Sequence, residues 1–277
     1  MCAGTKCINK KRANPLPLCD APLRELIKHA FPYLTIRTLC PLNKGLSNKN
    51  YYLEQAQQGY LLKHYSSALP TLALEAQSQL AKFGVAQPVV GFDTKTRLAL
   101  FEFVIESDEV ISLNDQLLAQ LHTLHGFELP QIDQLDLSGA LLEAGRVLDC
   151  APQLALLDQQ LAQFEADICF CHNDLVKDNI LATPQGPVFI DFEYAQYNDR
   201  YFDLAALGVS FSLSVGEAEH MLKRYYRQAN QPCPDYALDK LSCYVRAYLW
   251  LCIAWYQQRH LQEYVGPLQA QLVVWQS

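Results

Sequence analysis

The hydrophobic period of the chain changes near Ile105, and that change constrains the fold more than any single motif. Before it, FPYLTIRTLCPLNKGLSNKNYYLEQAQQGYLLKHY alternates in the manner of strands. Tyr51 to Glu54 and Tyr60 to Tyr65 flank QAQQG, which reads as a hairpin turn ending in Gly59. TLALEAQSQLAKFG predicts a helix stopped by Gly84. PVVGF and RLALFEFVI add two strands, for a sheet of about five. After Ile105, Leu113, Leu117, Leu121 and Leu124 recur at helical spacing, as do Leu154, Leu157, Leu161 and Phe164. From Asp203 the chain reads as three helices, the last over 236–261. Strands segregated from helices predict an α+β protein of two lobes with a cleft between them. The expected division is a flexible arm over 1–20, an N-lobe over 21–105 and a C-lobe over 106–277.

Charge and cysteine usage narrow the class. With 22 basic and 29 acidic side chains in 277 residues, the formal net charge is -7. That sign disfavours nucleic acid and anionic membranes as bulk partners. The N-terminal MCAGTKCINKKRANPLPL holds no continuous apolar run, so no signal peptide is expected. YVRAYLWLCIAWY is interrupted by Arg246 and too short to span a bilayer. The 10 cysteines include no CxxC pair, and several lie in apolar runs; they read as small buried hydrophobes in a reducing cytosol. His122 and His125 sit three apart on a helix and could bind metal, but with no carboxylate indicated beside them they predict a helix-end or packing role.

One stretch resists a purely structural reading. CHNDLVKDNIL, between the strand-like runs ADICF and PVFID, gathers His172, Asn173, Asp174, Lys177, Asp178 and Asn179 in one loop. Unpaired polar groups are costly to bury, so such a cluster points to a ligand. Asp174 and Asn179 stand five apart, and Asp191 closes the next strand. If the strands at 168–171 and 187–191 are neighbours, the three groups meet. Phosphoryl transfer needs such a trio: a carboxylate to accept the acceptor's hydroxyl proton, and a carboxylate and an amide to hold Mg²⁺ through hard oxygens. Lys63, on the third expected strand, offers a positive charge for nucleotide phosphates, with Glu75 twelve residues on to hold it. In KGLSNKN, Gly45 permits close backbone approach, and Ser47 and Asn48 can donate hydrogen bonds.

From about residue 40 to 256 the sequence resembles the kinase-like small-molecule phosphotransferases: choline and ethanolamine kinases, thiamine kinase and aminoglycoside phosphotransferases. HNDLVKDN resembles their H-x-D-x-x-x-x-N loop, IDFEYAQYNDRYFDLA their metal-aspartate segment, and GLSNKNYYL the choline-kinase form of the phosphate loop. The resemblance implies a bilobal protein-kinase-like fold using ATP and Mg²⁺. By it, Asp174 is the catalytic base, His172 organises the loop, Asp203 ties down its backbone, and Asn179 and Asp191 hold the metal. Lys63, braced by Glu75, contacts the α- and β-phosphates, and Ser47 and Asn48 cover them. The strand FEFV, with Glu102 and Val104, receives adenine through backbone groups. Lys177 faces either a phosphate or water.

The acceptor it implies is a small alcohol. Asp203 follows Asp191 by only twelve positions, FEY replaces the protein-kinase FG after the aspartate, and no APE follows, so a peptide has no seat. Glu193, Tyr194 and Trp250 match the choline-kinase acceptor site, where aromatic faces hold a cation. Two departures stand against choline itself. Trp250 and Trp255 are five apart, about 140° around a helix, where the family often spaces two tryptophans three apart. Ser210 stands where animal choline kinases carry a carboxylate. Thiamine and an aminoglycoside are the alternative acceptors, and a nucleotide-binding module without turnover is the alternative class.

Overall fold

The computed structural model describes residues 21–42 and 47–276; the arm expected over 1–20 and Gly45 lie outside them. The chain divides into two compact units. Among the described residues, one takes those up to Val110 together with Leu181–Glu193, and the other takes Ile111–Ile180 and Tyr194 onward.

The first unit is built on an antiparallel sheet of β1 (Thr38–Leu42), β2 (Lys49–Gln55), β3 (Gln58–His64), β4 (Val89–Asp93) and β5 (Leu98–Glu102). The order is β1-β2-β3-β5-β4. The β2–β3 turn is tighter than expected: Ala56 and Gln57 alone make it, at φ 45° and 76°. Two left-handed residues give the turn whose twist matches that of the flanking strands. Gly59 therefore lies in β3. A Cβ there would come within 3.0 Å of the Tyr52 ring and 3.2 Å of Phe103 Cβ, so close approach, not turning, demands glycine.

β5 shows why the sheet needs helices on both faces. Its Leu98 and Leu100 join Leu39, Leu53 and Leu62 in a cluster closed by Leu23 and Ile27 of α1 (Ala21–Ala30). Its Ala99 and Phe101 point the other way, to Tyr65 and to Leu74 of α2 (Thr71–Ala81). The alternation is the period of two that a strand imposes. Gly84, at φ 73°, follows α2 as the sequence predicts. Helix α1 is an element that the hydrophobic pattern does not predict; its only signal is the Leu23/Ile27 pair one turn apart.

Two further strands, β7 (Ile180–Thr183) and β8 (Gly186–Phe189), pair with each other. They lie in the segment expected within the C-lobe, yet 181–193 goes with the sheet. Phe189 donates its N–H to Val85 O and accepts from Gln87 N (2.8 and 2.9 Å), and Ser107 N donates to Ala182 O at 2.8 Å. Backbone hydrogen bonding across a hundred residues leaves no trace in local periodicity.

The second unit begins with α3 (Asp115–His125), capped by Asn114 Oδ1 accepting from Leu117 N at 2.9 Å. There follow α4 (Leu137–Val147), α5 (Ala151–Leu161) and β6 (Ile168–Cys171). β6 pairs antiparallel with β9 (Gln196–Asp199), so its partner is not the strand at 187–191. α6 (Tyr201–Ser210) is buried along nearly its whole length, and α7 (Val215–Gln228) opens on a Ser214/Glu217 capping box. α8 (Ala237–Gln258) is followed by a helix that was not expected, α9 (Gln262–Gln276). Gly266–Pro267 reads as a break. Burial of Val265, Leu272 and Trp275, with Tyr264 stacked on Tyr256 at 4.8 Å, offsets that weakness.

Lys240 of α8 is 1% exposed. Its Nζ lies 2.7 Å from Asp199 Oδ2, 2.7 Å from Glu165 O and 4.5 Å from the Tyr201 ring centroid. Lys240→Ala would remove the counter-charge of the buried Asp199 carboxylate while Asp167 N and Tyr201 N still donate to it, a loss of about 3 kcal/mol. The urea midpoint should fall with unchanged slope, and Lys240→Met with Asp199→Asn should recover part of it. A midpoint unmoved by Lys240→Ala would show that the pair contributes nothing.

Candidate active site

The polar loop is shaped from within the helical unit. β6 delivers the chain to His172, which is fully buried, and Asn173 follows at φ 61°, a left-handed conformation that asparagine tolerates. Asp203, in the first turn of α6 and 0% exposed, accepts from His172 N and Asn173 N, both at 2.8 Å. His125 Nε2 lies 3.2 Å from the same carboxylate, and His125 Nδ1 lies 2.6 Å from the Tyr225 hydroxyl. The packing role expected for His125 thus comes with a carboxylate partner that spacing did not reveal. The Asn173 amide completes the hold, donating to Tyr194 O at 3.0 Å and Gln196 O at 3.3 Å and accepting from Asn198 Nδ2 at 2.8 Å.

A loop fixed this way presents two groups together. Asn179, closing a short 3-10 turn, donates from Nδ2 to Asp174 O at 2.9 Å and to Asp174 Oδ2 at 3.0 Å. With its Nδ2 engaged, the Asn179 amide keeps Oδ1 as a hard-oxygen donor beside the Asp174 carboxylate. Lys177 donates its backbone N–H to Ser210 Oγ at 2.6 Å, and its Nζ lies 5.4 Å from the Phe211 ring centroid.

In the strand unit, Lys63 of β3 is buried. Its Nζ pairs with Asp191 Oδ1 at 2.5 Å and with Glu193 Oε2 at 3.2 Å. Burial opposes the charge, but Asp191 above all, with Tyr65 and Glu193, holds the lysine pKa above its ordinary value. The result is a fixed ammonium. Asp191 takes φ 64°, a strained conformation of the kind that gathers at functional positions. Glu193 also accepts from Asn48 Nδ2 at 2.5 Å, and Asn48 Oδ1 accepts from Ser66 N at 3.1 Å.

Several expected roles shift. Glu75 does not brace Lys63: α2 turns Ala73, Leu74, Ala76 and Gln77 inward and leaves Glu75 exposed. Among the described residues, the carboxylates on Lys63 are Asp191 and Glu193. Glu193, expected at the acceptor, is therefore committed to the lysine and to Asn48. Asn48 in turn has both ends of its amide engaged within the unit, and Ser47 sits half-buried beside it. At the end of β5, Glu102 donates its N–H to Pro88 O at 3.0 Å and accepts at its carbonyl from Gln87 Nε2 at 2.7 Å. Gln87 O is held in turn by Gln77 Nε2 at 2.9 Å, a buried amide relay that no spacing signals. Val104, half-buried beyond the strand, makes no backbone hydrogen bond among the described residues. Tyr194 is 40% exposed, with its carbonyl fixed by Asn173. Trp250 is half-buried on α8, whereas the Trp255 ring is covered by Arg259 at 3.8 Å.

Residues 38–239 match the family described as the phosphotransferase enzyme family. The chain belongs to that family. Among relatives, Protein LicA of Haemophilus influenzae is 26% identical over 235 residues, covering 74% of this chain and 66% of the relative. Probable ethanolamine kinase A of Dictyostelium discoideum is 39% identical over 99 residues, 31% of this chain and 28% of that one. The chain thus spans 66% or less of the length of these two relatives. The crystal structure of choline kinase LicA from Streptococcus pneumoniae superposes with a TM-score of 0.76 at 20% identity. That match covers 94% of this chain and 99% of the other. At that identity the likeness is one of fold: the phosphotransferase-family α+β fold, protein-kinase-like, with a small antiparallel sheet unit and a helical one.

Asp203 offers a test of how the loop is held. Asp203→Ala would leave two backbone N–H groups and an imidazole unpartnered in the interior, costing at least about 3 kcal/mol. Asp203→Asn keeps one acceptor oxygen and should cost less. Denaturant midpoints of the two variants check the order, and equal midpoints would contradict it.

Proposed function

We propose that this phosphotransferase-family chain transfers the γ-phosphoryl group of ATP to the hydroxyl of a small amino alcohol, choline or ethanolamine. The observation that carries the reading is the Asp174–Asn179 pair in a loop clamped by Asp203 in one unit, together with, in the other, a lysine fixed by two carboxylates. Asp174 accepts the acceptor's hydroxyl proton as the oxygen attacks phosphorus. Lys63 sets a permanent positive charge on the nucleotide phosphates, with Glu193 in the bracing role first expected of Glu75. Val104, whose backbone groups make no hydrogen bond among the described residues, meets the adenine edge, with Glu102 offering the second lone pair of a carbonyl that already accepts from Gln87.

Asn179 and Asp191 are the residues for Mg²⁺. Both offer hard oxygens, the donor type this ion takes, and two protein ligands suffice where phosphates and water complete the shell. Bound Mg²⁺ supplies neutralisation of phosphate charge. Tyr194 and Trp250 give aromatic faces for a cationic acceptor, and the similarity to a probable ethanolamine kinase favours that class. Trp255, already covered by Arg259, is left out of the acceptor site. We place the protein in the cytoplasm. The seven described cysteines are free thiols, and no helix among the described residues is long and apolar enough to cross a membrane.

ADP release from Mg²⁺-ATP, with choline, ethanolamine, thiamine and kanamycin offered singly, tests the reading. Choline or ethanolamine should raise release, and Asp174→Ala should lower that increment by about 10²–10⁴-fold. Chelating Mg²⁺ should abolish it. A response to thiamine or kanamycin alone would move the acceptor. No response to any, with equal thermal stabilisation of native and Asp174→Ala protein by Mg²⁺-ATP, would identify a nucleotide-binding module. In the same assay Glu193→Gln should raise the KM for ATP about tenfold, the worth of one charged hydrogen bond, while Glu75→Gln leaves it unchanged.

A further inference from the structure

The Asp203 clamp has more behind it than one imidazole. Within the helical unit alone, His125 of α3, Tyr225 of α7 and Arg200 at the start of α6 carry the hydrogen bonding outward from it. His125 Nε2 lies 3.2 Å from Asp203 Oδ2, and His125 Nδ1 lies 2.6 Å from the Tyr225 hydroxyl. Arg200 Nη1 donates to that hydroxyl oxygen at 3.3 Å, and Arg200 Nη2 is anchored on Asp167 Oδ1 at 2.7 Å. The reaction touches none of the three outer residues.

Donor and acceptor rules orient every bond in the series. An ionised carboxylate only accepts, so His125 Nε2 carries the ring proton and Nδ1 the lone pair. A guanidinium only donates, so of the groups at the Tyr225 oxygen only His125 Nδ1 can take the phenol proton. Burial pushes the phenol pKa up, against the pull of Arg200, which keeps that proton in place. Donation therefore runs one way, from Arg200 to Tyr225 to His125 to Asp203, and bonds in such a series strengthen one another. The phenol is also held by packing: the His122, His125 and Tyr226 rings meet it edge-on, with centroids 6.2, 5.7 and 5.7 Å away. At the inner end the series meets Oδ2, the oxygen that accepts from His172 N, while Oδ1 takes Asn173 N. Fixing Oδ2 from behind fixes the rotation of the carboxylate. That sets the two amides, and with them the direction in which Asp174 leaves Asn173.

We propose that Tyr225 and Arg200 are positioning residues for phosphoryl transfer, holding the catalytic loop through His125 and Asp203; this rests on the reading of Asp174 as the base. Tyr225→Phe removes one hydroxyl and keeps the ring in its packing. With a responding acceptor its kcat should fall about tenfold, the worth of one hydrogen bond, while the KM for ATP stays within about twofold. Tyr226→Phe, which loses a hydroxyl 2.7 Å from that of Tyr201, should leave both unchanged. Arg200→Met should lower kcat, and Arg200→Lys should recover part of the loss. Amide hydrogen exchange at His172 and Asn173 reads the hold without turnover and should quicken in Tyr225→Phe. In native protein, two-bond proton–nitrogen NMR correlation of the imidazole should find His125 protonated at Nε2 alone. Native kcat in Tyr225→Phe, an equal fall in Tyr226→Phe, or native His125 protonated at Nδ1 would overturn the proposal, the last whether or not any variant folds. Native protein inert toward every acceptor would count against Asp174 as the base, and the exchange comparison would then decide by itself whether Tyr225 holds the loop.

Discussion

The carboxylate of Asp203 is the group on which the candidate chemistry depends. It is completely buried, and a buried charge is tolerated only when several donors meet it. Here those donors are two consecutive backbone amides, His172 N and Asn173 N, with His125 behind. Amides of neighbouring residues can converge on one carboxylate only if the chain bends sharply between them. The left-handed φ of Asn173 is that bend. The loop is therefore shaped by what its backbone must satisfy, and Asp174 is presented as a consequence.

Lys63 reaches the opposite balance by similar means. Its ammonium is buried, which alone would favour losing the proton, and two carboxylates reverse that preference. Each of those carboxylates is shared: Glu193 with Asn48, and Asn48 with the backbone at Ser66. A charge held by a chain of partners loses little freedom when a ligand arrives, because the ordering has been done by folding. It also explains how this lysine is held without the exposed glutamate on α2.

Much of this was legible before any coordinates. The sheet, α2 with its glycine stop, α3 and α5 follow from period and punctuation, since each buries a face that its own residues define. The loop composition exposed Asp174 and Asn179 because six polar residues between apolar strands have few structural uses. What stayed hidden depends on partners distant in the chain. Glu75 and Glu193 are both carboxylates near plausible positions; only the rotation of α2 and the return of 181–193 to the sheet decide between them. His125 looked like a packing residue because Asp203 lies 78 positions away. Helix α9 was missed for another reason: Gly266–Pro267 is an unfavourable local sequence rescued by burial of Val265, Leu272 and Trp275.

Acceptor identity is the feature least set by these interactions, and the reason is physical. Phosphate machinery requires fixed charges, and fixed charges need buried partners that constrain the residues around them. A cationic alcohol asks only for aromatic faces, which many packings supply at similar cost. Trp255 shows how easily such a face is lost, since a single arginine one turn on occupies it at 3.8 Å. Ser210 makes the complementary point. Where a carboxylate could have met a cation, a hydroxyl accepts the Lys177 backbone amide at 2.6 Å, so the position serves the loop instead of the acceptor. Substitutions at such positions can redirect the substrate without disturbing Asp203 or Lys63, which is how one phosphate-transfer frame can serve acceptors as different as an amino alcohol and an aminoglycoside.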